Sequence, residues 1–190
     1  MKKNIIFFAI SLFILFFVRD TFANPIQGKR FELSTSASFL NIKNKGYDAD
    51  TEFNLRLRFG VFLSGGLEIE PELFLNIQED LEYTGAFFLA NIAQNFKVSK
   101  KIIPFILGGA GFGNGTRFYD VTFDQDMNVM ALNFGAGVKL LFNNTAALRI
   151  EYRYTWYSGR RSGFDMWGDP YTYELDRKDN NIVLGMSIFL

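Results

Sequence analysis

Between Leu148 and Tyr157 the chain reads LRIEYRYTWY, with Leu148, Ile150, Tyr152, Tyr154 and Trp156 alternating with Arg149, Glu151, Arg153, Thr155 and Tyr157. A period of two marks a β-strand, whose successive side chains point to opposite faces. The same pattern recurs along the chain. Phe31, Leu33, Thr35, Ala37 and Phe39 alternate with Glu32, Ser34, Ser36 and Ser38 in a first strand over Phe31–Ile42. A second strand over residues 51–62 sets Phe53, Leu55, Leu57, Phe59 and Val61 against Asn54, Arg56, Arg58 and Gly60. A third, 67–77, sets Leu67, Ile69, Leu73, Leu75 and Ile77 against Glu68, Glu70, Glu72 and Asn76. Pro71 lies within it, has no N–H for a ladder, and counts against closure of a sheet.

Residues 83–96 and 102–115 read as a fourth and a fifth strand, but Phe87-Phe88 interrupts the alternation and leaves both registers open. The sixth, 129–142, places Met130, Leu132, Phe134, Ala136, Val138 and Leu140 opposite Ala131, Asn133, Gly135, Gly137 and Lys139. The run described first is the seventh. An eighth, 181–190, sets Ile182, Leu184, Met186, Ile188 and Leu190 against Val183, Gly185, Ser187 and Phe189. Short turns follow the second, fourth and sixth strands, at Ser64-Gly65-Gly66, residues 95–101 and Asn143-Asn144-Thr145. Longer polar connections follow the first, fifth and seventh, the longest being residues 158–180; the link after the third, 78–82, is a short exception. An even number of strands, each near the ~9–11 residues that cross a bilayer, with short turns at one rim and long connections at the other, predicts an all-β, eight-stranded antiparallel up-and-down transmembrane β-barrel.

The charges decide which face is inside. A soluble sandwich would turn the apolar face inward. The polar faces, however, carry Arg56, Arg58, Lys139, Arg149 and Arg153 against Glu32, Glu68, Glu70, Glu72 and Glu151, five of each sign. A solvated face needs no such balance. An enclosed lumen does, because an unpaired buried charge costs several kcal/mol, of order 3–5 on breaking a pair. Eight strands enclose a space that side chains just fill, so these residues are expected to form a packed ion-pair network and not an open pore.

The N-terminus adds an export signal. Lys2 and Lys3 precede an apolar run from Ile5 to Val18, and small residues lead to Ala23 before Asn24-Pro25. This pattern predicts a cleavable signal peptide over residues 1–23 and a barrel domain over 24–190. Of the 190 residues 17% are aromatic, including 23 Phe, more than a compact soluble core of this size needs. With 20 basic and 20 acidic residues the net charge is zero, and the basic stripe of a nucleic-acid binder is lacking. The chain has no cysteine and no histidine, which removes thiol chemistry, the commonest general base and the commonest transition-metal ligand. Glu68, Glu70 and Glu72 could in principle supply an acid–base pair, but the nearby arginines favour structural pairing. The glycines of FILGGAGFGNG do not fit GxGxxG, because Asn114 or Thr116 falls where the last glycine belongs; they read as bends in a curved sheet. Asp48 with Asp50, and Asp124 with Asp126, lack the ligand spacing of a calcium loop. No cofactor or metal is expected.

The runs KKIIPFILGGAGFGNG and MALNFGAGVKLLFNNTAALRIEYRYTW, with the final strand NIVLGMSIFL, resemble the small outer-membrane β-barrel proteins of Gram-negative bacteria, the porin-family or OmpA/OmpX-like eight-stranded barrels. The resemblance covers residues 31–190. It implies residence in the outer membrane, contact with outer-membrane lipid and lipopolysaccharide, handling by the barrel-insertion machinery, and a monomer. The expected function is non-enzymatic: adhesion, envelope structure or surface contact through outward loops. Candidate contact residues are Arg160, Arg161, Phe164, Trp167, Tyr171 and Tyr173, where aromatics beside paired arginines suit phosphate groups or an extracellular ligand. A soluble exported β-sandwich or lipocalin-like carrier is the alternative, and a lipid-acting barrel enzyme a more remote one. A closed barrel should migrate differently in SDS before and after boiling; recovery as a soluble periplasmic protein with no mobility shift would exclude it.

Overall fold

The computed structural model describes residues 28–42, 50–78, 83–115, 127–164, 167 and 169–190. The expected signal segment and the loop aspartates Asp48, Asp124 and Asp126 lie outside them. Eight strands form one closed antiparallel barrel in sequence order: β1 (Phe31–Ile42), β2 (Asp50–Phe62), β3 (Leu67–Gln78), β4 (Tyr83–Asn95), β5 (Ile102–Gly115), β6 (Met127–Leu141), β7 (Ala146–Phe164) and β8 (Pro170–Phe189). The ends of the barrel meet where Leu190 N donates to Phe31 O at 2.9 Å and Phe31 N donates to Leu190 O at 3.3 Å.

The turns explain one rim. Gly65 and Gly66 adopt φ of 75° and 77°, a region closed to most side chains, and so reverse the chain between β2 and β3. Between β6 and β7, Asn143 Oδ1 accepts from the backbone N–H of Thr145 and of Ala146, each at 2.8 Å. This side chain substitutes for a backbone acceptor in a tight turn.

Two expectations are corrected. Pro71 does not prevent closure. On the β4 side it pairs in register with Ala90. On the β2 side the register passes from Arg58↔Glu72 to Val61↔Ile69, so Phe59 and Gly60 are skipped where Pro71 cannot donate. The ladder absorbs one missing donor without a change of register. Residues 158–180 are not a long loop either. The β7–β8 register continues from Ala146↔Ile188 to Phe164↔Pro170, which makes these the two longest strands, of 19 and 20 residues. Glycines and charged residues masked the alternation there.

The Phe87-Phe88 ambiguity resolves in favour of Phe87 inside and Phe88 outside. β5 then follows: Ile103, Phe105 and Leu107 point in, and Gly109, Gly111 and Gly113 continue the inward row. A Cβ on any of these three would strike β4 at Asn91, Leu89 or Phe87, respectively. The glycine run is thus the space that the β4 side chains occupy.

Outside, Phe39, Phe59, Ile92, Ile106, Phe112, Phe134, Ile182 and Leu184 form an exposed apolar wall. The inner face holds every one of the ten charges named above, all buried. The polarity is that of a barrel in lipid, and it is opposite to that of a soluble carrier. Gly185 lies in the short seam between β8 and β1, where a Cβ would overlap Ser36 and the carbonyl of Thr35. Gly185→Leu is expected to abolish the heat-dependent SDS mobility shift, whereas Gly108→Ala, whose Cβ would come no closer than 3.4 Å to Phe134, should retain it.

Candidate functional site

Among the described residues, the lumen gathers the ten buried charges named above. Each arrives by strand alternation: Glu32 from β1, Arg56 and Arg58 from β2, Glu68, Glu70 and Glu72 from β3, Lys139 from β6, and Arg149, Glu151 and Arg153 from β7. Glu72 is the hub of an upper group, nearer the rim of long connections. It accepts from Arg56 Nη1 at 2.7 Å, Arg58 Nε at 2.8 Å, Arg153 Nη1 at 3.2 Å and Asn91 Nδ2 at 3.0 Å. Glu151 joins it, bonded to Arg153 Nε and lying 3.6 Å from Arg58 Nη2.

A lower group surrounds Lys139, whose Nζ lies 2.5 Å from Glu32 and 2.8 Å from Glu68. Arg149 grips Glu70 through both terminal nitrogens, at 2.6 and 3.1 Å. Its Nε lies 3.1 Å from Glu151, linking the two groups. A planar guanidinium suits this paired geometry, which a lysine could not reproduce. Glu32, Glu68 and Glu70 come close enough to hold a cation, and Lys139 already supplies one there.

Period-two reasoning brought these residues to one face but did not assign partners. Arg56 and Arg58 both serve Glu72, while Glu68 and Glu70 reach across the lumen to Lys139 and Arg149. Inward apolar residues were the larger omission. Phe62, Ile103, Ala147 and Phe189 form a floor at the short-turn rim. Phe74, Phe87, Leu89, Val129, Ala131, Tyr157 and Leu175 fill the other end along β3 to β8. Parity could have found Phe74, which is two residues beyond Glu72. The cations also rest on aromatic rings: Arg56 lies 4.1 Å from the Phe74 centroid and Arg149 4.3 Å from that of Phe105.

The loop candidates are placed differently from the lumen set. Arg160, Arg161 and Phe164 lie on β7, Tyr171 and Tyr173 on β8, and Trp167 in the turn between them. Arg160 and Trp167 are exposed, and Arg160 lies 3.7 Å from Glu174 in open solvent. Lower on the outer face, Tyr152 donates to Asn180 at 2.5 Å and Trp156 to Asp176 at 2.6 Å. These amphipathic rings mark the level at which the apolar wall gives way to polar residues.

A closed barrel with an apolar exterior and a charge-filled interior defines an integral β-barrel membrane protein. The chain belongs to the outer membrane protein beta-barrel domain family, whose model matches residues 8–187, and it resides in the outer membrane of a Gram-negative bacterium. No curated protein sequence matches it. Among solved structures it is similar to Neisserial surface protein A, with a TM-score of 0.64 and 11% identity over 84% of this chain and 97% of that one. It is also similar to the N-terminal β-barrel domain of Pseudomonas aeruginosa OprF, with a TM-score of 0.55 and 14% identity over 86% and 100%. These likenesses are of fold. The family membership and the inverted polarity together overturn the soluble sandwich or carrier.

Removing one partner from a buried charge network costs about 3–5 kcal/mol, whereas exposed pairs contribute about 0–1 kcal/mol. Glu72→Ala, which takes from Arg56 its carboxylate partner and leaves Arg58 and Arg153 to share Glu151, is therefore expected to lower unfolding stability by about 3–5 kcal/mol. Arg160→Ala should change it by less than about 1 kcal/mol. Urea unfolding of the barrel in phospholipid vesicles measures both.

Proposed function

We propose that this protein is a non-enzymatic outer-membrane barrel with a closed lumen, working through the outward end of its β7–β8 hairpin in surface contact or adhesion. The observation that carries this reading is the division of labour along β7. Its lower half contributes Arg149, Glu151 and Arg153 to the packed interior, while its upper end runs past β6, whose last register partner is Val129↔Gly159. The chain therefore spends its longest strands on a projection that the barrel does not require for closure. Arg160 and Trp167 stand exposed on that projection, beside Arg161, Phe164, Tyr171 and Tyr173 in sequence. Arginine and aromatic side chains together suit the phosphates and sugars of lipopolysaccharide or an extracellular ligand.

Several features support a structural lumen. Apolar clusters close both ends of the charge network, and most of the charges bond to one another. The chain has no histidine or cysteine to serve as base or nucleophile. Neisserial surface protein A, which shares the fold, is by name a surface protein. The remaining parts of the reading are a cleaved signal peptide over residues 1–23, delivery by the barrel-insertion machinery, and a monomeric barrel in contact with lipid and lipopolysaccharide.

The test replaces residues 160–173 by a two-residue Asn-Gly turn and compares the variant with the wild type on whole cells and in planar bilayers. Both proteins should show the SDS mobility shift and neither a steady ion conductance, while only the variant should lose attachment to lipopolysaccharide-coated or host-cell surfaces. Steady conductance by the wild type, or unchanged attachment by the variant, would overturn the reading.

A further inference from the structure

The barrel is closed by a seam of unequal strength. β7 and β8 pair over 19 positions, but β8 and β1 pair over only six, from Glu32↔Phe189 to Ala37↔Leu184. Above Ala37 and Leu184 both strands continue, β1 to Ile42 and β8 back to Pro170, with no further pairing between them among the described residues. Continuing the register would bring Val183 opposite Ser38. The separation begins at membrane height: Phe39 and Ile182, on either side of it, face outward at 72% and 68% exposure. Asn180, next along β8, is already at the level of the Tyr152 hydroxyl.

Unpartnered buried polar atoms occur at several places in the lumen, Glu68, Asn95 and Thr155 among them, and a group of them lies behind this stretch. The apolar cluster that fills the upper end draws on β3 to β8 and leaves the sector of β1 and β2 polar. Ser36, Ser38, Asn54 and Asn181 are at least nine-tenths buried there, and both Ser hydroxyls, Asn54 Nδ2 and both amide atoms of Asn181 have no hydrogen-bond partner. Arg56 is bonded through Nη1 to Glu72, while its Nε and Nη2 are likewise unpartnered.

We infer that the upper β1–β8 seam is a lateral binding site for a long-chain carboxylate amphiphile from the outer leaflet. Its head would be held by Ser38, Asn54, Arg56 and Asn181, and its chain would lie against Phe39, Phe53 and Ile182. Two arguments select this occupant. The unpartnered groups are mainly donors, which a carboxylate satisfies and an alkyl chain does not. The entrance faces hydrocarbon, so the ligand must carry an apolar chain as well as the head. In the closed seam these polar atoms are shut away, and admitting a ligand requires the strands to part. That parting breaks no backbone hydrogen bond between β1 and β8 above Ala37, in contrast to the continuous β7–β8 ladder.

The experiment uses the full barrel in phosphatidylcholine vesicles with spin-labelled stearate and, as control, its methyl ester. The motionally restricted fraction gives their relative association constants. Wild type should prefer the carboxylate by about tenfold, the worth of charge-assisted hydrogen bonds to the head. Asn181→Leu should remove that preference, and so should a disulfide between Cys residues introduced for Ser38 and Val183, with recovery on reduction. Unboiled SDS mobility verifies that each variant is folded. Equal binding of acid and ester by the wild type, or a preference that survives in folded Asn181→Leu, overturns the proposal. Asn181→Leu decides alone if the disulfide does not form.

Discussion

Glu72 accepts from three guanidinium groups in a space closed to water, and the barrel depends on that arrangement balancing. A buried charge pair is weak evidence of net stability, since desolvation offsets much of the attraction; the penalty falls on imbalance. Here five cations meet five carboxylates, and every strand that contributes one must keep its register. A one-residue slip would send a charge into lipid and an aliphatic chain into the network. The network thus acts as a register lock for the sheet.

That lock also explains how the fold tolerates its irregularities. Pro71 interrupts the β2–β3 ladder between Glu70 and Glu72, yet both carboxylates are held by side chains, Glu70 from across the lumen by Arg149 and Glu72 by the adjacent arginines of β2 and by Arg153 of β7. Side-chain cross-links replace backbone bonds at that point. The glycines of β5 and β6 serve the same end from the opposite direction: Gly137 yields its space to the Phe105 ring, on which Arg149 rests. The upper β1–β8 seam lacks such compensation. Its hydroxyls and amides are buried without partners, which makes it the part of the wall least committed to staying closed.

The proposed function rests on this separation of parts. The lumen holds a packed charge network with apolar clusters at its two ends. The β7–β8 hairpin, by contrast, leaves the barrel with exposed arginine and aromatic side chains.

Much of the fold was legible in the chain, because a strand in a membrane barrel has two environments that differ as sharply as water and oil. The period-two contrast of Leu148–Tyr157 placed Arg149, Glu151 and Arg153 on one face, and the same contrast sorted β1, β2, β3, β6 and β8. It faltered where the contrast is weak: at Phe87-Phe88, where both faces are apolar, and over 158–180, where both are polar once the strands leave the bilayer. Local sequence alone could not set which carboxylate meets which cation, since those partners lie up to 117 positions apart and meet only when the sheet closes. Closure likewise decided that Phe74, Phe87 and Tyr157 share one cluster, and that β1 and β8 pair over six residues and then part. Alternation is a property of each strand by itself. Partnership across the lumen depends on the tilt and stagger that all eight strands adopt together.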